Sequence, residues 1–146
     1  MSISITQQEA DSLFALAKHY VGQETFTFPS LGGELRIPLY SENRREEFNL
    51  SVRRSKIELR KNTFQNRVRT TIILARLDIE GKHRNPDGEE FTGSHLHLYR
   101  EGFNDRWAFT IPPFFTAPSD AWKTLHEFMA YCNIVTRLEI KGDLFS

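Results

Sequence analysis

A period-two alternation of apolar and polar residues runs through the middle of this chain and leaves it few folds to choose from. In the run Ser94-His95-Leu96-His97-Leu98-Tyr99-Arg100, leucines alternate with two histidines and a tyrosine. Successive side chains of a strand point to opposite faces, so this pattern predicts a strand that buries Leu96 and Leu98 and turns His95, His97 and Tyr99 the other way. The same period recurs upstream. Phe26 and Phe28 alternate with Thr25 and Thr27, and Leu35, Ile37 and Leu39 with Arg36 and Pro38, while Leu31-Gly32-Gly33 between them predicts a hairpin turn. Phe48, Leu50 and Val52 are apolar at even positions and Ile57 and Leu59 at odd ones, which calls for a bulge or turn near Arg53-Arg54-Ser55. Residues 72–79 are apolar on both faces at their centre, as a covered central strand would be. Asn85-Pro86-Asp87-Gly88 is a turn, and residues 94–100 and 106–111 predict a second hairpin ended by Pro112 and Pro113.

Two stretches switch to helical spacing. Thr6-Gln7-Gln8-Glu9 is a capping box, followed by Ala10, Leu13, Phe14, Ala17 and Val21 on one face and by Gly22 as a stop. A second helix is expected from the N-cap Ser119, with Trp122, Leu125, Met129 and Cys132 on one side, and residues 134–140 supply a last strand. The fold class is therefore α+β: a strongly curved antiparallel β-sheet or partly open barrel of about six or seven strands, packed by an N-terminal and a C-terminal helix. With 146 residues, 39% of them hydrophobic, and no repeat or linker, residues 1–146 are expected to form a single domain rather than a disordered chain. The lone Cys132 excludes an internal disulfide and any zinc site with two protein thiolates. No apolar run approaches the ~20 residues of a membrane span, and the N-terminus lacks a basic and apolar leader. A soluble, cytoplasmic protein with no membrane partner is the expectation.

Net charge is zero, yet it is unevenly spread: −3 over residues 1–35, +7 over 36–85 and −4 over 86–146. A neutral chain of this kind can present one basic face, although strand-borne Arg and Lys also serve simply as a solvated surface. Arg44, Arg45, Arg53, Arg54, Lys56, Arg60, Lys61, Arg67 and Arg69 are interleaved with Tyr40, Phe48 and Phe64, the composition of a phosphate-contacting surface with stacking partners. Glu46, Glu47 and Glu58 are near enough to neutralise some of them.

The residues most open to chemistry are His95 and His97. Two imidazoles on one strand face can act as an acid and a base near neutral pH, with Tyr99 adding a hydroxyl; they can equally be packed under a neighbouring element and do nothing catalytic. His83 joins them only if the turn at residues 85–88 folds back, and His19 and His126 fall in predicted helices. The expected function is that of a nucleic-acid-acting protein, a metal-independent, toxin-like endoribonuclease. In that reading His95, His97 and Tyr99 are catalytic, Arg53, Arg54, Lys56, Arg60, Arg67 and Arg69 bind the nucleic acid, and no cofactor or metal is assigned. The alternative is a non-enzymatic interaction or inhibitor protein that binds a protein partner, an antitoxin included, or RNA.

Two resemblances bear on this. His95-x-His97-x-x-x-Glu101 resembles the first metal motif of the cupins, which implies His95, His97 and Glu101 as ligands of iron, zinc or manganese. Cupins add a histidine on a later strand, whereas the only later histidine here, His126, falls in a predicted helix. The run from Arg76-Leu77-Asp78 through Asn85-Pro86-Asp87-Gly88 to His95-Leu96-His97-Leu98-Tyr99-Arg100-Glu101-Gly102-Phe103 and Trp107-Ala108 resembles an uncharacterised family of small bacterial and prophage-associated proteins. That likeness implies a setting of host–phage conflict, toxin–antitoxin modules included, and no particular mechanism.

Overall fold

The computed structural model describes residues 4–142, and within them the alternating segments from Glu34 onward lie side by side as a six-stranded antiparallel sheet. The order along the chain is α1 (Gln7–Ala15), β1 (Phe26–Thr27), β2 (Glu34–Tyr40), β3 (Glu47–Arg54), β4 (Asn62–Val68), β5 (Ile72–Arg84), β6 (Glu90–Leu98), β7 (Ala108–Thr110), α2 (Ala121–Tyr131) and β8 (Ile140–Lys141). Strands β2 to β7 pair in sequence order, and β2 and β7 remain edges, so the sheet is open rather than a closed barrel. The fold is α+β. The inner face carries Ile37, Leu39, Phe48, Leu50, Val52, Phe64, Leu77 and Leu96, all buried, and both helices contribute to the same core through Leu13, Leu125 and Phe128. Phe64 and Phe128 meet with ring centroids 5.9 Å apart.

The helices begin as their caps dictate, and their ends differ from the expectation. Thr6 Oγ1 accepts from the Glu9 amide, but α1 stops at Ala15 and Val21 is exposed. The reason is Lys18, which is wholly buried and draws the chain out of helix. Its Nζ donates to the carbonyls of Phe14, Leu16 and Cys132 at 2.8, 3.0 and 2.6 Å, satisfying the C-terminal ends of both helices with one cation. Burial lowers its pKa to about 8. The cap of α2 is Asp120 rather than Ser119.

Three strand expectations are corrected. Phe26 and Thr27 do not form a hairpin with β2; they pair in parallel with β8. Ile57 and Leu59 are 89% and 67% exposed in the β3–β4 connection, where Ser55 Oγ accepts from the amides of Ile57 and Glu58 and holds a turn instead of a strand. The last strand is short, and Ile134 makes only an isolated bridge to Lys18.

The feature that shapes the outer face is a bulge between β5 and β6. Asp78 pairs with His95 and Gly81 with Gly93, so Ile79 and Glu80 stand opposite Ser94 alone. Glu80 takes up a left-handed backbone, φ 62°, and Gly93 sits at φ 96°, a conformation that a side chain resists. The extra residue brings Gly81 and His83 to the same face as Asp78. The outer hairpin of β5 and β6 therefore curls over that face as an arm, and its tip is pinned. The Asn85 side chain donates to Ala108 O at 2.9 Å and accepts from the Ala108 amide at 2.8 Å, both buried.

Asn85→Ala removes the partner of a buried donor and a buried acceptor at once. Urea unfolding is expected to show a loss of roughly 2–3 kcal/mol, whereas a surface substitution would stay within about 0.5 kcal/mol.

Candidate functional site

Register places the histidines. One row across the outer face runs Arg53, Thr63, Asp78, His95, Thr110, and the next runs Ser51, Gln65, Arg76, His97, Ala108. Leu96 faces the core and Leu98 packs partly against it, as the alternation requires. Yet His95 and His97 are 1% and 0% exposed. The arm lies over them: the His83 ring is 4.4 Å from that of His97 and 5.7 Å from that of His95, and Phe91 is 6.1 Å from His95. His83 Nε2 donates to Arg106 O at 2.8 Å, which ties the arm to the loop before β7.

Tyr99 does not join this cluster. It follows the end of β6 and enters the core, where its hydroxyl donates to Ile5 O at 2.7 Å and accepts from the Ile5 amide at 2.9 Å. Glu101 is also elsewhere, accepting from the Gln7 amide at 2.7 Å at the start of α1. The cupin-like triad of His95, His97 and Glu101 is therefore not assembled. His19 lies outside the helices and bridges to Tyr40, whereas His126 is in α2 beside Trp122.

The carboxylate that does reach the imidazoles is Asp78, on the neighbouring strand. Its Oδ2 is 3.3 Å from His95 Nε2 and 3.1 Å from His97 Nε2. Each ring is fixed from behind by a backbone carbonyl, which can only accept: His95 Nδ1 donates to Gly93 O at 2.9 Å and His97 Nδ1 to Asp105 O at 2.8 Å. Arg76 closes the cluster with two donations, to Asp78 Oδ2 at 3.2 Å and Asp105 Oδ2 at 2.6 Å, and its Nη2 lies 3.0 Å from His97 Nε2. The same Arg76 nitrogen is 3.5 Å from His97 Nδ1, so the guanidinium approaches across the imidazole rather than in line with either ring nitrogen. His95 Nε2 is buried without a hydrogen-bond partner, because its approach to Asp78 is out of alignment. Burial pushes the Asp78 pKa up, and the close approach of His95, His97 and Arg76 more than reverses this, holding the carboxyl well below its usual range.

The basic block divides between two uses. Arg53, Lys61 and Arg67 line a groove of about 340 Å³ on the outer face together with Arg76, Lys82 and Asp78. Lys56 and Arg60 sit in the β3–β4 connection outside the groove. Arg54 points to the inner side, 7% exposed, donating to Pro29 O at 3.0 Å over the Phe28 ring. Arg69 is held by Glu9 and Glu46, each at 2.7 Å. Phe48 and Phe64 are fully buried, so neither is a stacking partner for a base. Sequence reading missed Asp78 and Arg76. Their signals were their place in the family-like run and the alternation of residues 76–79 beside a strand of histidines, which assigns them to the site only once the register is known.

The depressed pKa of Asp78 sets a sign for pH dependence. Its contribution is complete above the ordinary carboxylate value of about 3.9 and is lost as pH falls toward the folded-state value. Urea midpoints followed downward from neutral pH are expected to fall more steeply below about pH 5 for wild type than for Asp78→Asn. Equal acid limbs would show that this carboxylate gains nothing from its neighbours.

No helix among the described residues is long and apolar enough to cross a membrane. No curated protein and no solved structure matches this sequence. The sequence model of a family of unknown function, DUF6978, matches residues 5–134, nearly the whole length, and the chain belongs to that family.

Proposed function

We propose that this protein binds a single-stranded nucleic acid, RNA foremost, through its phosphates along the outer-face groove. The observation that carries the reading is the lining: Arg53, Lys61, Arg67, Arg76 and Lys82 converge on one concavity that holds only Glu34 and Asp78 as acids. Among the described residues, no acid pairs with Lys61, Arg67 or Lys82, which leaves their charge for a ligand. Thr63, Gln65 and Ser51 add neutral hydrogen-bonding groups between them. Among the described residues no aromatic side chain lines the groove, so recognition rests on the backbone and is indifferent to base sequence.

The catalytic form of this reading, with His95 and His97 as base and acid, needs imidazoles that touch substrate. Both are enclosed beneath the arm, and Tyr99 is bound to Ile5. Binding without metal-independent cleavage is therefore the form the geometry favours, and RNA incubated with the protein in excess EDTA is expected to stay intact. A protein-partner reading, antitoxin included, draws on a different feature: Ile57 and Leu59 are 89% and 67% exposed on the β3–β4 connection, and Leu59 borders a second concavity with Leu31 and Trp122.

The test is a salt titration of binding to single-stranded RNA. Three to five phosphate contacts predict a log–log slope of roughly −2 to −3.5, and Arg67→Ala or Lys82→Ala should each reduce it by about 0.7. Homopolymers of different base should bind alike. Affinity that is flat with salt, or unchanged in a combined Arg53→Ala, Arg67→Ala and Lys82→Ala variant, would contradict the proposal.

A further inference from the structure

We propose that Asp78, His95 and His97 form a site for a divalent transition metal of the zinc class, with Arg76 standing in for the ion when none is bound. Three ligand atoms converge here, and both imidazoles are positioned by groups outside the cluster. Both imidazoles give their Nδ1 protons to backbone carbonyls, which is the arrangement that fixes a metal-binding ring and leaves Nε2 as the ligand atom. The ligand atoms of the three residues lie within 4.8 Å of one another. Tetrahedral zinc, with bonds of about 2.0–2.1 Å, sets neighbouring ligands roughly 3.3 Å apart. The Asp78 oxygen lies 3.3 and 3.1 Å from the two Nε2 atoms.

An arrangement of this kind needs a cation. Two imidazole nitrogens crowd within 3.3 Å of the Asp78 oxygen, and positive charge beside them is what holds the three together. The guanidinium supplies that charge at Asp78 and His97. His95 Nε2 is left buried and without a hydrogen-bond partner, 3.3 Å from Asp78 Oδ2 and aimed into the cluster. A buried imidazole nitrogen with nothing to bind is costly, and a metal satisfies it where the guanidinium does not. Arg76 has a separate anchor on Asp105 at 2.6 Å, so it can keep that bond while yielding the other two. Imidazole nitrogen with carboxylate oxygen suits zinc, iron or cobalt better than magnesium or calcium. Asp78 also borders the outer-face groove, which gives an ion a route in. The ligand set differs from the cupin-like one in its carboxylate: Asp78 replaces Glu101.

The experiment titrates chelator-stripped full-length protein with Co²⁺ and then Zn²⁺. The expected result is one equivalent of Co²⁺ with the visible band of a low-coordinate nitrogen–oxygen site, displaced by Zn²⁺. Asp78→Asn, His95→Ala and His97→Ala should each weaken Zn²⁺ binding by at least about 100-fold, the upper range seen when even the outer partners of metal ligands are lost. Arg76→Met should bind as tightly as wild type or tighter, because a competing cation is gone; a purely structural cluster predicts no such retention. In case a ligand variant fails to fold, the imidazole ¹⁵N resonances of wild type are followed as Zn²⁺ is added. Shifts at Nε2 of His95 and His97 are expected. No uptake by wild type, uptake indifferent to all three ligand variants, or shifts confined to His19 and His126 would overturn the proposal.

Discussion

One extra residue in β5, where Ile79 and Glu80 stand opposite Ser94, sets the side toward which everything beyond it points. Strand period is two, so removing that residue would send Gly81 and His83 to the opposite face from Asp78. With it, the end of the β5–β6 hairpin curls back, aided by two facing glycines, until Asn85 reaches Ala108 on β7. A Cβ on Gly81 would come within 3.4 Å of the His95 ring, which indicates how closely the arm lies on the imidazoles. The same curl makes a row of strand-face histidines into a buried cluster and leaves the groove beside it as the accessible part of the outer face.

Burying charge in this way is tolerable only when it is nearly complete in its pairing. Arg76 serves two carboxylates and an imidazole, and the one nitrogen it leaves unserved, on His95, becomes the informative one. The inner side of the molecule follows the same rule with Lys18, whose three carbonyl partners come from the ends of two helices and whose flanks are the rings of Phe14 and Phe48. Arg54 and Arg69 are likewise committed to structural partners. A basic stretch of sequence is thus divided between internal work and an outer groove, and only the second share bears on a ligand.

What could be read from sequence was whatever depends on neighbours along the chain. The alternation at residues 95–98 gave the strand and its two faces, Thr6 and Glu9 gave the start of α1, and Asn85-Pro86-Asp87-Gly88 gave the turn at the tip of the arm. The pairing of β1 with β8 escaped because its partners are more than a hundred residues apart, and the end of α1 escaped because a lysine is ordinarily read as surface. The site was half legible for the same reason. His95 and His97 share a strand, whereas Asp78 and Arg76 enter through register, and His83 through a bulge that no local pattern announces. Strand parity groups Tyr99 with the histidines and the cupin-like spacing adds Glu101, but the strand ends at Leu98, so both are carried to α1 and the segment before it.

The most direct test of this account is a long-range ¹H–¹⁵N spectrum of the imidazole rings in the metal-free protein. The closed arm predicts that His97 carries a proton on Nδ1, donated to Asp105 O and slow to exchange with solvent. A His97 ring with no proton on Nδ1, or one whose Nδ1 proton exchanges at the rate of an exposed histidine, would contradict the buried cluster on which the metal site depends.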